Sequence, residues 1–336
     1  MLGRLKEVPY GRMQEIARGV SMRFHDAGHI IGSASVEVHV RDEAPDGTRR
    51  ELTLVFSGDI GVSGAPLLRD PQPPAAGPDV VLLESTYGDR DHRPLGDTLT
   101  ELEDILATAR ADGGKVLIPA FAVGRTQDMI YHMAELMRAG RLPRTDVFID
   151  SPMATAATRL YADHPEVYDG EAAALMKQGI NPLDFPGLRF VKTRQESQEL
   201  NQRQEHCVVI AGSGMCTGGR ILHHLKHSLW RPGTHVVFVG YQAEGTLGRA
   251  LINAEKRVRI LGEDIFVRAH IHTLGGFSAH AGQSGLIQWA KAVCGSGTRL
   301  FLTHGEDPQR NTLRTAIAGA AGVRAELPEW GDCANL

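Results

Sequence analysis

Cysteine is scarce in this sequence, and what there is stands apart. Cys207, Cys216, Cys294 and Cys333 form no CxxC pair, which argues against a cysteine-ligated zinc and against a disulfide scaffold, and suits a reducing cytoplasm. No apolar run approaches the ~20 residues that a membrane-spanning helix needs, and the opening MLGRLKEVPYGRMQEI lacks the apolar centre of a secretory leader. A surplus of positive charge is also missing. Lys and Arg number 36 against 40 Asp and Glu, a formal net charge of −4, so any nucleic-acid contact must come from local clusters rather than from a basic surface as a whole. No aromatic-rich ribonucleoprotein motif occurs, so readout of sequence by base stacking is not indicated. The Gly-rich stretch AGSGMCTGGR lacks the Lys-Ser/Thr ending of a nucleotide P-loop, which sets ATP and GTP aside.

What remains is an ordinary soluble composition, 42% apolar and 23% charged over 336 residues, long enough for two domains with a core each. Residues 34–59 read as two strands, ASVEVHV and ELTLVFSGD, joined through Asp46-Gly47, a hairpin turn signal. A Pro-rich surface loop, PLLRDPQPPAAGPD, follows, and then DVVLLEST, a continuous apolar run of the kind that a strand buried on both faces shows. From about residue 100 the rhythm changes to four strand–loop–helix units, with a long helical stretch near 170–180 between the second and third. Alternation of this kind implies a parallel sheet with helices on both faces and ligands beyond the carboxyl ends of the strands. Two further strand–helix units carry GGFSAHAG and LTHGEDPQ. The expected architecture is α/β, with residues 92–266 inserted between 1–91 and 267–336.

The informative side chains close apolar runs. His29, Asp59, Glu84, His280 and His304 each sit beside Gly or Ser at a strand end. One such residue is ordinarily a cap or a satisfied core group. Five of metal-ligand or acid/base type weaken that bland reading, although their scatter from residue 29 to residue 304 leaves no local spacing signature. His25 lies on the same segment as His29 and is the alternative ligand there. His223, His224 and His227 include an i, i+4 pair that could grip zinc from a helix face, but no carboxylate stands near, and a solvent- or phosphate-facing helix face is the plainer reading. AGSGMCTGGR, with Ser213 and Gly214, feeds a helix N-terminus and so favours an anion, an RNA phosphate or else a purely structural turn. Arg125, Arg220 and Arg249 each begin a helix after a small-residue loop, where they would touch phosphates or stand as ordinary surface arginines.

Taken in order, AGHIIGSA, SGDIG, ESTYGDRDH, FSAHAG and LTHGE resemble the later motifs of the metallo-β-lactamase-fold nucleases of the β-CASP group, relatives of the cleavage-and-polyadenylation endonuclease. IPAFAVGRTQD, DSPMA, GSGMCTGGRILHHLKH and VGYQAEGTLGR are similar to the inserted β-CASP domain of bacterial RNases of that group. The resemblance runs from about residue 20 to the end. It implies a partial metallo-β-lactamase fold (αββα) with a β-CASP insertion, and a zinc-dependent cytoplasmic ribonuclease, endonucleolytic or 5′-exonucleolytic, with RNA as partner, no membrane and a homodimer. Its active site would lie between the two domains. By the same resemblance His29 matches a ligand of the first metal, Asp59 the carboxylate bridging two zinc ions and His304 a ligand of the second. His280 matches the histidine facing the scissile phosphate, and Glu84 the acidic residue that orients it. Arg125, Ser213, Gly214, Arg220 and Arg249 would hold substrate.

Two departures qualify this. The family's HxHxDH signature, which supplies most ligands to both metals, does not occur; HIHT at 270–273 is the only HxH, and no Asp-His follows it. In the family the signature lies upstream of AGH with the first strands of the fold, so the expectation is the C-terminal part of a longer enzyme, one that by itself folds poorly or associates. A complete family site takes two zinc ions; here at most one, held loosely by His29, Asp59 and His304, is expected. Gly282 stands where many relatives have Asp. A non-catalytic RNA-binding or scaffold subunit is the alternative from another class. It is disfavoured because all five strand-end residues are intact, and a small-molecule hydrolase such as a lactamase is disfavoured by the insertion.

Overall fold

A computed structural model describes residues 6–43 and 49–335; the Asp46-Gly47 turn signal lies outside the described residues. The chain divides into two compact units, Met1–Asp91 with Ala279–Leu336, and His92–Ser278.

The first stretch lays down β1 (Gln14–Ala17), β2 (Val20–Asp26), β3 (Ala34–Glu43), β4 (Arg49–Phe56) and β5 (Val80–Glu84). The second unit then supplies α1 (Leu95–Ala111), β6 (Lys115–Pro119), α2 (Arg125–Arg138), β7 (Val147–Ile149), α3 (Pro152–Asp163), α4 (Gly170–Lys177) and β8 (Leu188–Phe190). It continues through α5 (Arg194–Gln202), β9 (Cys207–Ala211), α6 (Ile221–Ser228), β10 (His235–Phe238), α7 (Leu247–Ile252), β11 (Arg257–Ile260), β12 (Glu263–Phe266) and β13 (His270–Thr273). The chain returns to the first unit with α8 (Gln283–Val293), β14 (Arg299–Thr303), α9 (Asp307–Ala321) and β15 (Ala325–Glu326).

The first unit is a seven-stranded mixed sheet in the order β1-β2-β3-β4-β5-β14-β15. Its first four strands are antiparallel neighbours, and β4, β5, β14 and β15 run parallel. Alternation along the strands separates two faces. On one, Val55, Val81, Leu83, Leu300 and Leu302 are sealed by Leu286 and Trp289 of α8 and by Leu313 and Ile317 of α9. On the other, cross-strand partners Phe24↔Val36↔Phe56 and Met22↔Val38↔Leu54 form a continuous apolar surface that stays half-exposed, with Phe56 39% accessible.

The second unit is a six-stranded parallel sheet, β13-β10-β6-β9-β7-β8, accompanied by the antiparallel pair β11-β12. Every residue of β6, β7, β9 and β10 is buried, which is why these strands read as unbroken apolar runs instead of alternating ones. Two expectations change here. The unit extends to Ser278, past the expected end at 266, because His270–Thr273 pairs with β10 in parallel register from His235↔His270 to Phe238↔Thr273. The helical stretch near 170–180 is confined to α4, and the chain beyond it makes a further strand and helix, β8 and α5. There are thus five strand–helix units and not four. Strand β8 is only Leu188-Arg189-Phe190 at the sheet edge, too short to show a period.

The half-exposed apolar face predicts strong binding of a hydrophobic dye such as ANS by this chain. Val38→Asp combined with Phe56→Asp should lower the dye signal by about half or more without unfolding, since neither side chain packs under α8 or α9. Dye fluorescence no higher than that of a compact globular control would contradict this reading of the surface.

Candidate functional site

The first unit gathers its chemistry in the turns that follow its strands. After β2 the segment from Asp26 to Ser33 is tied internally: the Asp26 carboxylate accepts from Gly28 N (3.0 Å), and the Ser33 hydroxyl accepts from His29 N (3.1 Å) and Ile30 N (3.2 Å). Arg69 holds Asp26 from outside at 3.0 Å. The turn after β4 packs directly on this one. Gly61 N donates to Ala27 O (2.7 Å), and a Cβ on Gly61 would lie 2.0 Å from Gly28 O, so only glycine allows the contact that sets Asp59 beside His29.

Glu84, the last residue of β5, is 2% exposed. Its carboxylate accepts from Ile60 N (2.6 Å), from His280 Nδ1 (3.1 Å to each oxygen) and, more distantly, from Thr86 N (3.4 Å). Burial alone would raise its pKa; the hydrogen bond and charge of His280, with those from Thr86 and Ile60, outweigh burial and hold it below the usual carboxylate value. Glu84 is therefore an acceptor, and His280 Nδ1 the donor. His304 follows β14 with φ +49°, a left-handed conformation that costs a non-glycine residue about 1–2 kcal/mol. The neighbouring chain secures it, since Ser85 N and the Thr86 hydroxyl both donate to His304 O at 3.3 Å. Backbone strain of this kind concentrates at functional sites.

These five side chains, dispersed in sequence, therefore meet. His29 Nε2 lies 3.9 Å from Asp59 Oδ2, and His304 Nδ1 lies 3.3 Å from Asp59 Oδ1. The His280 ring centroid is 4.4 Å from that of His29 and 5.8 Å from that of His304. Burial first, then the neighbouring His280, lowers the pKa of His29, so its imidazole is neutral at pH 7 and offers a lone pair. Nitrogen and carboxylate oxygen at these separations suit a divalent cation such as zinc. Of the expected shell of His29, Asp59 and His304, the two histidines face different oxygens of Asp59. Among the described residues, the three-donor groups whose ligand atoms lie within 4.8 Å are His29/Asp59/His280 and Glu84/His280/His304. His25, the alternative to His29, is held with His39 on the Glu37 carboxylate, 2.7 Å each, away from this cluster. Gly282 is explained by Asp91, whose carboxylate accepts from Ser284 N (2.9 Å) and Oγ (2.8 Å) at the start of α8; a Cβ on Gly282 would lie 2.6 Å from it.

In the second unit the residues expected to hold substrate are more committed than the sequence suggested. Arg125 is 9% exposed and bonded to Asp128 at 3.0 Å. Arg220 donates to Asp150 (2.5 Å), and Arg249 lies 3.7 Å from Glu244 and over the Tyr241 ring at 5.6 Å. The Ser213 hydroxyl closes its own loop, accepting from Thr217 N (2.9 Å) and Gly218 N (3.2 Å), while Gly214 is buried against Phe121. What the sequence did not single out is Asp150 of DSPMA. Fully buried after β7, it accepts from Ser197 (2.5 Å), Arg220 and His224 Nε2 (2.7 Å), tying α5 and α6 to the sheet. His224 is thus a buried partner of Asp150, not one arm of a zinc-gripping helix face. A carboxylate at the carboxyl end of an apolar strand was the available signal.

Residues 126–251 match the Beta-Casp domain family, and residues 264–328 match the Zn-dependent metallo-hydrolase RNA specificity domain family. The chain is 42% identical over 332 residues to a ribonuclease of Thermus thermophilus, covering 98% of this chain and 73% of that one. It is 30% identical over 316 residues to the transcription termination factor FttA of Methanosarcina mazei, and 29% identical over 335 residues to that of Pyrococcus horikoshii. It spans about half the length of the two FttA proteins, 48% and 50%. No helix among the described residues is long and apolar enough to cross a membrane.

Asp150→Ala leaves a buried histidine and an arginine without their acceptor, and is expected to destabilise the protein by about 3 kcal/mol or more. Asp163→Ala, at an exposed position on α3, should change stability by less than about 0.5 kcal/mol. Denaturant unfolding of both variants checks this; equal, small effects would show that the Asp150 network is not structural.

Proposed function

Because the chain belongs to the β-CASP group of metallo-β-lactamase-fold hydrolases, we propose that it acts in a zinc-dependent ribonuclease and hydrolyses RNA phosphodiesters at the strand-end cluster of its first unit. The observation that carries this is Asp59, which turns one carboxylate oxygen to His29 and the other to His304, with His280 alongside on a buried carboxylate. Two flanking histidines and a two-sided carboxylate would hold a pair of zinc ions, His29 and His304 each serving as a ligand beside Asp59. Zinc bound there supplies Lewis acidity toward water and phosphoryl oxygen.

The chain's own residues do the rest. Asp59 fixes the spacing of the two histidines. Burial keeps His29 neutral, as a metal ligand must be. Glu84 accepts a hydrogen bond from His280 Nδ1–H, which fixes the ring and leaves the nitrogen on its far side to face the scissile phosphate. When the ring also takes up a proton on that nitrogen, the imidazolium would give it to the leaving oxygen or stabilise charge on the phosphoryl group, and Glu84 would balance the positive ring. RNA is the proposed substrate, because a ribonuclease is among the relatives and one matched family is described as an RNA specificity domain. The loops at the carboxyl ends of β6, β9 and β10 would carry the strand, through backbone N–H groups and the arginines that flank them. The free cysteines are consistent with work in the reducing cytoplasm.

Two variants of the full-length gene product separate the roles. His280→Ala is expected to cut RNA hydrolysis by roughly a hundredfold or more while zinc content stays near wild type. His304→Ala is expected to lose activity together with part of the metal. If His280→Ala empties the site and His304→Ala leaves it full, the assignments are reversed. If neither changes hydrolysis, the nuclease reading gives way to an RNA-binding scaffold.

A further inference from the structure

Each arginine expected to clamp phosphate in the second unit already faces a carboxylate: Arg125 with Asp128, Arg220 with Asp150 and Arg249 with Glu244. Charge at this end of the sheet is largely spent within the protein, so another source of affinity is needed if a strand lies here. Phe121 supplies one. It stands two residues past the end of β6, at the carboxyl end of the sheet's middle, and is 46% exposed in a chain with few aromatics, whereas Phe148, Phe185 and Phe238 of the same unit are buried. The other exposed rings of the unit lie elsewhere. Trp230 follows the far end of α6 and carries Arg231 on its face at 5.0 Å, and Phe266 ends the β11-β12 pair.

The mounting of Phe121 is rigid. Its carbonyl accepts from both Thr126 N (3.2 Å) and Thr126 Oγ1 (2.7 Å), which anchors it to the first turn of α2. One edge of the ring rests on the Gly-rich loop after β9, where a Cβ on Gly214 would come within 2.8 and 2.9 Å of Cδ2 and Cε2. That loop is itself closed by Ser213, through Ser213 N to Gly218 O (3.0 Å) and the two bonds to its hydroxyl. A flat apolar ring, fixed on one edge and open to solvent, is what stacks a base without reading its identity.

We propose that Phe121 is a stacking platform for one nucleobase of single-stranded RNA, a positioning role that rests on the ribonuclease reading. It accepts any base, since every base presents a π-face, and gives little to a duplex, whose bases are already stacked.

The test uses the full-length protein carrying His280→Ala, so that RNA survives the measurement. Two fluorescent probes of equal length are compared by anisotropy, a mixed-sequence single-stranded RNA and an abasic ribose-phosphate strand. Phe121→Ala is expected to weaken RNA binding about tenfold or more and to leave abasic binding unchanged. Phe121→Tyr should bind like the parent. Phe121→Leu, which keeps apolar contact with the loop, should fall with Phe121→Ala. The proposal is overturned if Phe121→Ala binds RNA as the parent does, if both probes weaken together, or if Leu serves as well as Tyr. Where the parent binds RNA but Phe121→Ala has no effect, only the platform is lost. If the parent binds neither probe, the ribonuclease reading falls with it.

Discussion

A carboxylate with almost no access to water holds the first unit's chemistry in place. Glu84 is 2% exposed and has no lysine or arginine beside it among its hydrogen-bond partners; its charge is met by N–H donors from Ile60, Thr86 and His280. A buried charge met in this way is stable only with every donor present, because desolvation is costly for each one lost. Three separate parts of the chain are pinned by it: the turn after β4, the end of β5 and the loop before α8. Asp59 is the residue before Ile60, and Ala281 N, next to His280, returns a bond to Ile60 O at 2.7 Å. Moving Glu84 would therefore move Asp59 and His280 together.

The sheet supplies what Glu84 needs to work against. Strands β4, β5 and β14 run parallel, so their carboxyl ends fall on one side, and the turns that leave them carry Asp59, Glu84 and His304 to a common place. Small residues then bring those turns into contact, as at Gly61 against Gly28 O. The strained φ of His304 is tolerated because bonds from Ser85 and Thr86 hold its carbonyl. The site is thus built where paired strands end.

Much of this was legible in the sequence, for a physical reason. A buried strand must be apolar throughout, so a polar side chain at or just past its end stands out, as Glu84 on β5 and His304 after β14 did. His29 and Asp59, after half-buried β2 and β4, and His280, in the loop before α8, were marked by the small residues beside them. What could not be read is whatever depends on pairing across the fold. The end of the second unit at Ser278 follows from β13 adding to β10, which no local pattern announces. Three-residue β8 has no room to show a period. The arginines were visible as residue types, but not their carboxylate partners, one of which, Asp150, lies 70 residues from Arg220. The separation of His29 and His304 onto different oxygens of Asp59 is likewise a matter of side-chain placement, which residue spacing does not encode.

The central claim is that Glu84 fixes the orientation of His280, and the direct measurement is the position of the proton on that ring. Nitrogen-15 NMR of the imidazoles in the full-length protein, with His280 assigned from a His280→Ala comparison, reads it without reference to activity. The account predicts a proton on Nδ1 in the wild type, shielded from exchange by the buried carboxylate, and loss of that signature in Glu84→Ala. A neutral His280 protonated on Nε2 in the wild type, or a Nδ1 proton that persists unchanged in Glu84→Ala, would contradict it.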